Sequence, residues 1–486
     1  MDSKEEAYYE AFGAKDSRLD GRVFVGVSST GIYCRPTCHA RHPKKENCTF
    51  FKTAAEAEQA GYRPCLLCRP ELAPGNSIVD AKENLVNRAV ILLEENCGTG
   101  MSLDQLSEEL GCSSRHLRRV FKQEYNVTPI QYLQTCKLLL AKNLLTDTNL
   151  SVLDVAMTSG FGSLRRFNDL FKKHYKLSPS ALRKHLTKSK REDGKITLSL
   201  SYRPPYLWKK TIDFLSERAI PGVEKIENDA YYRTVRIQNL NNETVCGWLK
   251  VQNLPNKNRL SVTVSDSLLS ALPRILTRIK NLFDLKCDPN IIYKSLSSMN
   301  NVKPGLCVLG TRLPGGFDSF EMAVRAVLGQ QITVKAAKTL AGRIVERFGN
   351  HVATEIDGLT HVFPTPLQIV EMKDLVEDNL GQLGVIAYRS KTIYQLAEKI
   401  VSGDIDLKSS AQPEKEIKKL MDIKGIGSWT AQYIAMRTMG YTDSFLETDV
   451  GVKNALSGYT PKELIKIAET WRPWRSYATM NLWNSL

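Results

Sequence analysis

Apolar and polar positions between residues 80 and 187 follow the spacing of amphipathic helices, and the pattern is repeated after about fifty residues. The segment 121–129, FKQEYNVTP, returns as FKKHYKLSP at 171–179. Each copy ends in Thr-Pro or Ser-Pro, a capping hydroxyl followed by a proline that suits the first helical position. The repeat therefore predicts two copies of one helical unit, each followed by a new helix.

Each copy contains a short apolar helix, a turn with glycine and a second, basic helix. These parts are 103–110, Gly111 and 113–123 in the first copy, and 152–158, Gly160 and 163–174 in the second. The second helices carry the basic residues Arg115, Arg118, Arg119, Arg165, Arg166 and Lys172. This layout is typical of helix-turn-helix units, whose second helix enters the major groove of DNA. An ordinary helical bundle with solvated charges is the alternative.

Beyond this repeat the pattern changes. Strand-like alternation appears in 196–200, 232–237 and 260–264, and helical spacing bounded by Gly and Pro returns from about residue 317. A small α+β module therefore precedes an all-helical domain. The polar stretch 189–195 ends in Gly-Lys and predicts a linker.

These patterns predict a multidomain α+β chain. The predicted segments are a small cysteine-rich domain at 1–75, an all-α tandem helix-turn-helix at 76–188, a linker at 189–195, a small α+β module at 196–305 and an all-α domain at 306–486. A length of 486 residues suits about three or four domains, and 42% hydrophobic residues is enough for several cores.

The net charge of +15 and the pI of about 9.2 predict a polyanionic partner. Basicity alone also fits RNA or a membrane surface. However, Lys and Arg fall on periodic helical segments, which favours folded surfaces for double-stranded DNA. The acidic N-terminus lacks a signal core and no apolar run could span a bilayer, so we expect an intracellular protein in a reducing compartment.

Four cysteines have the spacing of metal ligands. Cys34 and Cys38 form C-x3-C, and Cys65 and Cys68 form C-x2-C. Two such pairs complete a tetrahedron around one Zn²⁺. Spacing alone favours a closed, structural site, but the Arg and Pro residues beside the sulfurs also suggest chemistry on an anionic backbone. A disulfide framework fits poorly, since 11 is an odd number of cysteines and the other seven are scattered without a regular spacing.

A second candidate site lies in the C-terminal half. The segment 420–431, LMDIKGIGSWTA, predicts a helix, a glycine hairpin and a second helix, whose backbone N–H groups can face a phosphate at Gly425 and Gly427. Asp449 follows about one helix and loop later. Its position predicts an N-cap, and the same carboxylate could stabilise positive charge on a sugar. The two roles are compatible.

The residues of the N-terminal half resemble two families. SVLDVA at 151–156, with Gly160-Phe161 and the Phe-Lys-x-x-Tyr block, resembles the AraC-type tandem helix-turn-helix domain. Residues 10–72 resemble the zinc domain of the Ada family, in which one zinc thiolate irreversibly takes a methyl group from a methylated DNA phosphate and thereby activates transcription. The resemblance implies Cys34 as the acceptor and Arg41 as a phosphate contact; spacing leaves open which of the four sulfurs reacts.

Residues 196–486 resemble the AlkA-type 3-methyladenine DNA glycosylase II family, through PPYLW at 204–208, the hairpin and WRPWRSY at 471–477. The resemblance implies a TBP-like α+β module, a helix-hairpin-helix glycosylase domain and a base pocket lined by Trp429, Tyr433 and Trp483. Each aromatic taken alone would more often belong to a core. In this family one side chain, the wedge, fills the gap that the flipped-out nucleotide leaves in the duplex. The resemblance implies Gln331 for this position, where the family pattern has an apolar residue.

The hairpin position that carries a lysine in strand-cleaving glycosylases is Trp429 here, which predicts a monofunctional enzyme that uses water. We expect a fused protein that transfers methyl groups from phosphotriesters, activates transcription and excises alkylated purines. The resemblance also implies RNA polymerase as a partner and a monomeric protein in the bacterial cytoplasm, at the nucleoid. The alternatives are a zinc-stabilised regulator with an inactive glycosylase-like domain, and a glycosylase whose zinc domain only positions it.

Overall fold

The N-terminal domain is a small sheet covered by two helices. A computed structural model describes residues 3–74, 84–184 and 194–486. Its first elements are α1 (Ser3–Gly13), β1 (Phe24–Val27), β2 (Ile32–Cys34), β3 (Cys48–Phe51), α2 (Ala54–Gln59) and β4 (Arg63–Pro64). The strand order is β3-β1-β2-β4, with only the β2–β4 pair parallel. This pairing places the C-terminal ends of β2 and β4, and the cysteines that follow them, side by side.

Seven helices follow, and they confirm the predicted repeat. They are α3 (Asn84–Glu95), α4 (Leu103–Leu110), α5 (Ser114–Tyr125), α6 (Pro129–Asp147), α7 (Val152–Thr158), α8 (Leu164–Tyr175) and α9 (Pro179–Lys184). Gly111 ends α4 in the left-handed conformation, with φ of 70°. The Thr128 hydroxyl accepts the Gln131 N–H at 3.3 Å, as the Thr-Pro signal predicts.

The α+β module is built on a five-stranded antiparallel sheet in the order β5-β9-β8-β7-β6. Its elements are β5 (Lys195–Ser201), α10 (Trp208–Arg218), β6 (Glu224–Glu227), β7 (Ala230–Gln238), β8 (Thr244–Leu254), β9 (Arg259–Ser265), α11 (Leu272–Leu282), α12 (Pro289–Leu296) and α13 (Met299–Val302). The predicted linker lies outside the described residues from 189 to 193, and Lys195, its last residue, already begins a strand.

The last domain is helical apart from one short two-stranded ribbon. Its elements are α14 (Ser319–Leu328), α15 (Val334–Phe348), β10 (Asn350–His351), β11 (His361–Val362), α16 (Pro366–Val370), α17 (Val376–Gly381), α18 (Ala387–Val401), α19 (Pro413–Met421), α20 (Ser428–Thr438), α21 (Val450–Ala455), α22 (Pro461–Glu469) and α23 (Arg475–Asn484). None of the helices in the described ranges combines the length and the apolar composition that crossing a membrane requires.

The N-terminal and C-terminal halves share a hydrophobic core. One continuous cluster of buried residues includes Leu138 and Leu144 of α6, Ile196 and Leu198 of β5, and Leu482 of α23. Burial of this apolar surface favours one docked body over two domains on a flexible tether.

Ion pairs also cross the junction between the halves. The Arg22 guanidinium of the zinc domain contacts the Asp288 carboxylate at 2.6 Å, and both groups are largely buried. On α3, Glu94 lies 3.0 Å from the Lys286 ammonium and 3.6 Å from that of Lys280. Burial raises the pKa of Glu94, but the two lysines outweigh it and lower the pKa from 4.5 to about 2.

Replacing Glu94 with glutamine is expected to lower the free energy of unfolding at pH 7 by about 2 kcal/mol, because Lys280 and Lys286 lose their partner. A carboxyl group whose folded pKa is depressed stabilises the protein above its unfolded pKa, so the difference between variant and wild type should shrink as the pH falls from about 5 towards 2. Thermal unfolding across this pH range measures it. Glu108→Gln, at an exposed position of α4, is the matched control. An E94Q deficit that persists unchanged at low pH would contradict this assignment.

Candidate functional sites

The first site is the buried cysteine cluster between β2 and β4. Cys34 ends β2, Cys38 follows a turn, and Cys65 and Cys68 flank the turn after β4. Their four sulfur atoms lie within 4.8 Å of one another. Four thiolates at Zn–S distances of about 2.3 Å form a tetrahedron with edges of about 3.8 Å, so small shifts close this cluster around one ion. The cluster fits one tetrathiolate Zn²⁺.

Backbone N–H groups donate to two of the four sulfurs. The Arg35 N–H donates to the Cys68 Sγ at 3.3 Å, and the Ala40 N–H to the Cys38 Sγ at 3.5 Å. Among the described residues no backbone N–H donates a hydrogen bond to the Cys34 or the Cys65 Sγ. Exposure does not distinguish the sulfurs, because the four residues range only from 3% to 8%.

The arginines beside the cysteines serve the fold. The buried Arg35 guanidinium binds the Asp20 carboxylate, with Nε to Oδ1 at 2.7 Å. Arg69 binds Glu71 at 2.9 Å and pairs with Asp147 on α6. Both guanidinium groups are therefore neutralised by carboxylates, which corrects the expectation that Arg35 and Arg69 attract an anion; Arg63, near Cys65, is half-buried. Arg41 lies on an exposed loop beyond Cys38, where a phosphate can reach it.

The second site is the pair of basic helices α5 and α8. Leu117, Val120 and Phe121 of α5, and Phe167 and Phe171 of α8, are buried on the inner face of each helix. The predicted DNA-binding residues all lie on the exposed outer face; these are Arg115, Arg118, Arg119, Arg165, Arg166 and Lys172. The structure therefore separates the two faces as the repeat predicts.

The third site is a cleft of about 1410 Å³ between the α+β module and the helical domain. The hairpin that joins α19 to α20 forms part of its wall. Gly425 has φ of 104°, and a Cβ there would lie 2.1 Å from the Thr392 hydroxyl oxygen. Because a side chain would be both strained and blocked, only glycine fits at this position.

Asp449 lies in this cleft as the N-cap of α21. Its Oδ1 accepts the Val452 N–H at 3.0 Å, which confirms the predicted cap. Two indole N–H groups also donate to the carboxylate, Trp483 to Oδ1 at 2.8 Å and Trp429 to Oδ2 at 3.1 Å. Three donors from three directions fix the orientation of the carboxylate.

The predicted aromatic residues surround Asp449. The rings of Trp429 and Tyr433 are stacked, with centroids 5.3 Å apart and planes 6° apart. Trp483 stands at 61° to Tyr433 with centroids 6.2 Å apart. All three line the same cleft. Sequence positions as distant as 429 and 483 thus meet at one carboxylate.

Gln331 lies on the rim of the cleft, exposed and in the left-handed conformation with φ of 54°. Its neighbour Gln330 anchors this loop, because the amide Nε2 donates to the Gly425 carbonyl at 2.8 Å and to the Thr430 hydroxyl at 2.9 Å. Arg389 donates to the Gln330 carbonyl. The loop and the hairpin therefore form one rigid wall beside Asp449.

Other residues of the cleft were not predicted from the sequence. Phe214 and Arg218, from the last turns of α10, line it opposite the hairpin. The Phe214 ring stacks on Trp483 with centroids 6.1 Å apart. Their sequence signal was an amphipathic helix of the α+β module, and nothing local indicated that this helix faces a site on another domain.

Four family models match successive parts of the chain. They are the metal binding domain of Ada at residues 7–71, a helix-turn-helix domain at 106–185, the AlkA N-terminal domain at 197–318 and the HhH-GPD superfamily of base excision DNA repair proteins at 324–463. Together they define the class as a zinc-containing DNA-binding regulator fused to a helix-hairpin-helix repair domain.

Relatives match over the same regions. The "Probable bifunctional transcriptional activator/DNA repair enzyme AlkA" of Mycobacterium tuberculosis is 32% identical, covering 99% of this chain and 96% of the relative. The "DNA-3-methyladenine glycosylase 2" of Escherichia coli is 31% identical over 59% of this chain and 96% of its own length. The "Bifunctional transcriptional activator/DNA repair enzyme Ada" of the same species is 39% identical over 24% of this chain and 31% of its own. The chain belongs to the family of bifunctional transcriptional activator/DNA repair enzymes that fuse Ada and AlkA regions.

Proposed function

We propose that this protein excises alkylated purines from DNA and also accepts methyl groups from DNA phosphotriesters, which switches on transcription. The single observation that carries the proposal is the Asp449 carboxylate. It is held by the indole N–H groups of Trp429 and Trp483, 3.1 Å and 2.8 Å away, in an aromatic cleft beside the glycine hairpin. The N-cap of α21 needs only the Val452 N–H, so the two indole donors fix the carboxylate beyond what a purely structural cap requires.

Excision follows from these residues. The base leaves the duplex and stacks against Trp429 and Tyr433, whose π faces attract an electron-poor, cationic purine. Asp449 stabilises the positive charge that develops at C1′ as the glycosidic bond breaks, and water completes the substitution. Gln331, on the rim, fills the space that the base leaves.

The enzyme is monofunctional on this account. In the strand-cleaving glycosylases that the hairpin resembles, the attacking lysine stands where Trp429 stands here. The two lysines that line the cleft, Lys210 and Lys338, donate instead to the carbonyls of Asn484 and Ser216, both at 3.2 Å. Lys424 precedes the glycines and is exposed, and it is absent from the cleft lining among the described residues. The N–H groups of Gly425 and Gly427 bind a phosphate of the DNA backbone.

Methyl transfer is assigned to Cys34. Bound zinc keeps the four sulfurs as thiolates at neutral pH. An N–H donor stabilises the charge on a sulfur and makes it less nucleophilic, which disfavours Cys38 and Cys68 as acceptors. Between Cys34 and Cys65, the resemblance of residues 10–72 to the Ada family selects Cys34. The Cys34 sulfur forms the bond to the methyl carbon, the O–CH₃ bond breaks, and the phosphate oxygen keeps the electron pair as a restored phosphodiester.

The transfer changes the charge of the cluster from about −2 to about −1, which weakens its repulsion of DNA. Arg41 and the basic faces of α5 and α8 belong to consecutive domains, so methylation then tightens the binding of DNA to both. Activation also requires RNA polymerase as a partner, and we propose a monomeric protein that acts at the nucleoid in the bacterial cytoplasm. The proposed domains are 1–75, 76–188, 196–305 and 306–486, joined after 188 by the linker.

The excision part is tested by incubating wild-type protein with duplex DNA treated with a methylating agent. Chromatography of the released bases is expected to show 3-methyladenine, and the DNA is expected to gain abasic sites without strand breaks. If no base is released, the protein is better explained as a regulator with an inactive glycosylase-like domain. Immediate strand breaks would overturn the monofunctional assignment.

A further inference from the structure

One side of the cleft carries concentrated positive charge. Behind the cleft lining, the buried Arg437 donates from Nη1 to the Tyr433 hydroxyl at 2.8 Å. The guanidinium carbons of Arg218 and Arg437 lie 3.9 Å and 4.8 Å from the centroid of the Phe214 ring. Arg325 also lines the cleft. Burial raises the pKa of Tyr433, but the charges of Arg437, Arg218 and Arg325 outweigh it, and its pKa lies below the usual value.

The carboxylates nearby compensate this charge unevenly. Arg325 contacts both Glu224 and Glu321, at 3.0 Å and 3.3 Å. Arg437 is buried and donates to the carbonyl oxygens of residues 314 and 315. The Arg218 ion pair is with Glu217, at 3.0 Å, and the Glu217 side chain is 68% exposed. An ion pair with so exposed a partner is weak, so the Glu217 carboxylate compensates little of the positive charge of Arg218.

Arg218 is also the guanidinium best placed to meet a bound base. It lines the cleft with its side chain 19% exposed, and it covers the face of Phe214, whose ring stacks in turn on Trp483. Asp449 binds the indole N–H edges of the two tryptophans. The slot therefore presents a carboxylate to the sugar at one edge and a guanidinium to the base at another.

This polarity matters only for one class of substrate. When the glycosidic bond breaks, its electron pair passes to the base nitrogen. A cationic alkylated purine thereby becomes neutral and needs no partner, whereas a neutral purine becomes an anion. Asp449 stabilises the sugar in both cases, but only a donor beside the base stabilises the anion.

We propose that Arg218 donates a hydrogen bond to the departing base and sets specificity, supporting the excision of neutral purines far more than that of cationic ones. The proposal rests on the proposed excision activity. In the complete reaction the C1′–N bond breaks, the water oxygen bonds to C1′, and a water proton ends on the base nitrogen. Arg218 keeps all its protons throughout, because a guanidinium is not deprotonated in proteins.

The test compares two duplexes under single-turnover conditions, one with hypoxanthine as a neutral base and one with 7-methylguanine as a cationic base. Arg218→Ala is expected to slow hypoxanthine release by about 10- to 100-fold, the effect of losing one hydrogen bond from a charged donor. Release of 7-methylguanine should fall much less, because its base leaves neutral and only the Phe214 contact, which serves both substrates, is lost. Arg218→Lys keeps a charged donor and should recover part of the hypoxanthine rate. Arg347→Ala, which removes an exposed arginine that contacts Phe348 away from the cleft, is the control.

Equal losses on both duplexes would overturn the proposal, since they would show that Arg218 only supports the fold of the pocket. No loss on either duplex would overturn it as well. Wild-type protein that releases 7-methylguanine but leaves hypoxanthine in place would refute the inference and leave the excision activity standing. Wild-type protein that releases neither base would refute the excision activity itself.

Discussion

Replacing Asp449 with asparagine is expected to slow the release of 3-methyladenine by about 10³-fold or more, since groups that stabilise charge in a transition state contribute effects of this order. The reason is the lost negative charge beside C1′, where positive charge develops as the base departs. Single-turnover base release from a defined duplex measures the change, because it isolates the chemical step from product release.

Asparagine keeps the N-cap but loses the bond from the Trp429 indole N–H, because its amide Nδ2 is a donor where Asp449 Oδ2 accepts. It is as good an N-cap as aspartate, so the bond from the Val452 N–H to residue 449 can persist and α21 should remain folded. The matched control is Asp318→Asn, which makes the same change at the N-cap of α14, where the side chain accepts the Glu321 N–H at 2.9 Å. An Asp449→Asn protein with the wild-type rate would remove the catalytic assignment.

Replacing Cys34 with serine is expected to abolish methyl uptake from methylphosphotriester DNA completely. A serine hydroxyl is not ionised at neutral pH and offers no thiolate to attack the methyl carbon. Mass spectrometry of wild-type protein should show one added methyl group on the peptide that contains Cys34, and the C34S protein should show none.

Loss of the metal must be separated from loss of the acceptor. Cys38→Ser removes another zinc ligand but keeps Cys34, so both variants are compared at measured zinc content. Cys48→Ser changes a half-buried cysteine outside the cluster and should take up methyl like wild type. A methyl group found on Cys38, Cys65 or Cys68 of the wild-type protein would refute the assignment of the acceptor.

The helices of the tandem repeat were predictable to within two residues at each end. Capping residues and glycines mark their ends locally, as Ser113 and Gly111 do, and the apolar spacing marks the buried face. The N-cap role of Asp449 was predictable for the same reason. The cysteine cluster also followed from spacing, because two close pairs need only one pairing of strands to meet.

What the sequence did not indicate depends on contacts between distant segments. The partner of Arg35 is Asp20 and a partner of Arg69 is Asp147, and no local pattern shows either pair. The strands β6 and β8 were missed; β8 includes Gly247 and two flanking apolar runs, which blur the alternation. Arg218 enters the cleft only because α10 packs against the helical domain.

The docking of the two halves has a consequence for how they act. The Arg22–Asp288 pair and the shared core hold the zinc domain against the α+β module. We therefore expect the two halves to approach DNA as one body. Asp449 and Cys34 nevertheless take part in two different reactions, and neither residue supplies a group to the other.

The most direct test of the central claim measures both activities on one duplex that carries a methylphosphotriester and a 3-methyladenine. Wild-type, C34S and D449N proteins are compared for methyl uptake and base release. Two independent sites predict that C34S releases base without taking up methyl, and that D449N takes up methyl without releasing base. Wild-type protein that performs neither reaction, or single variants that each lose both, would contradict the account.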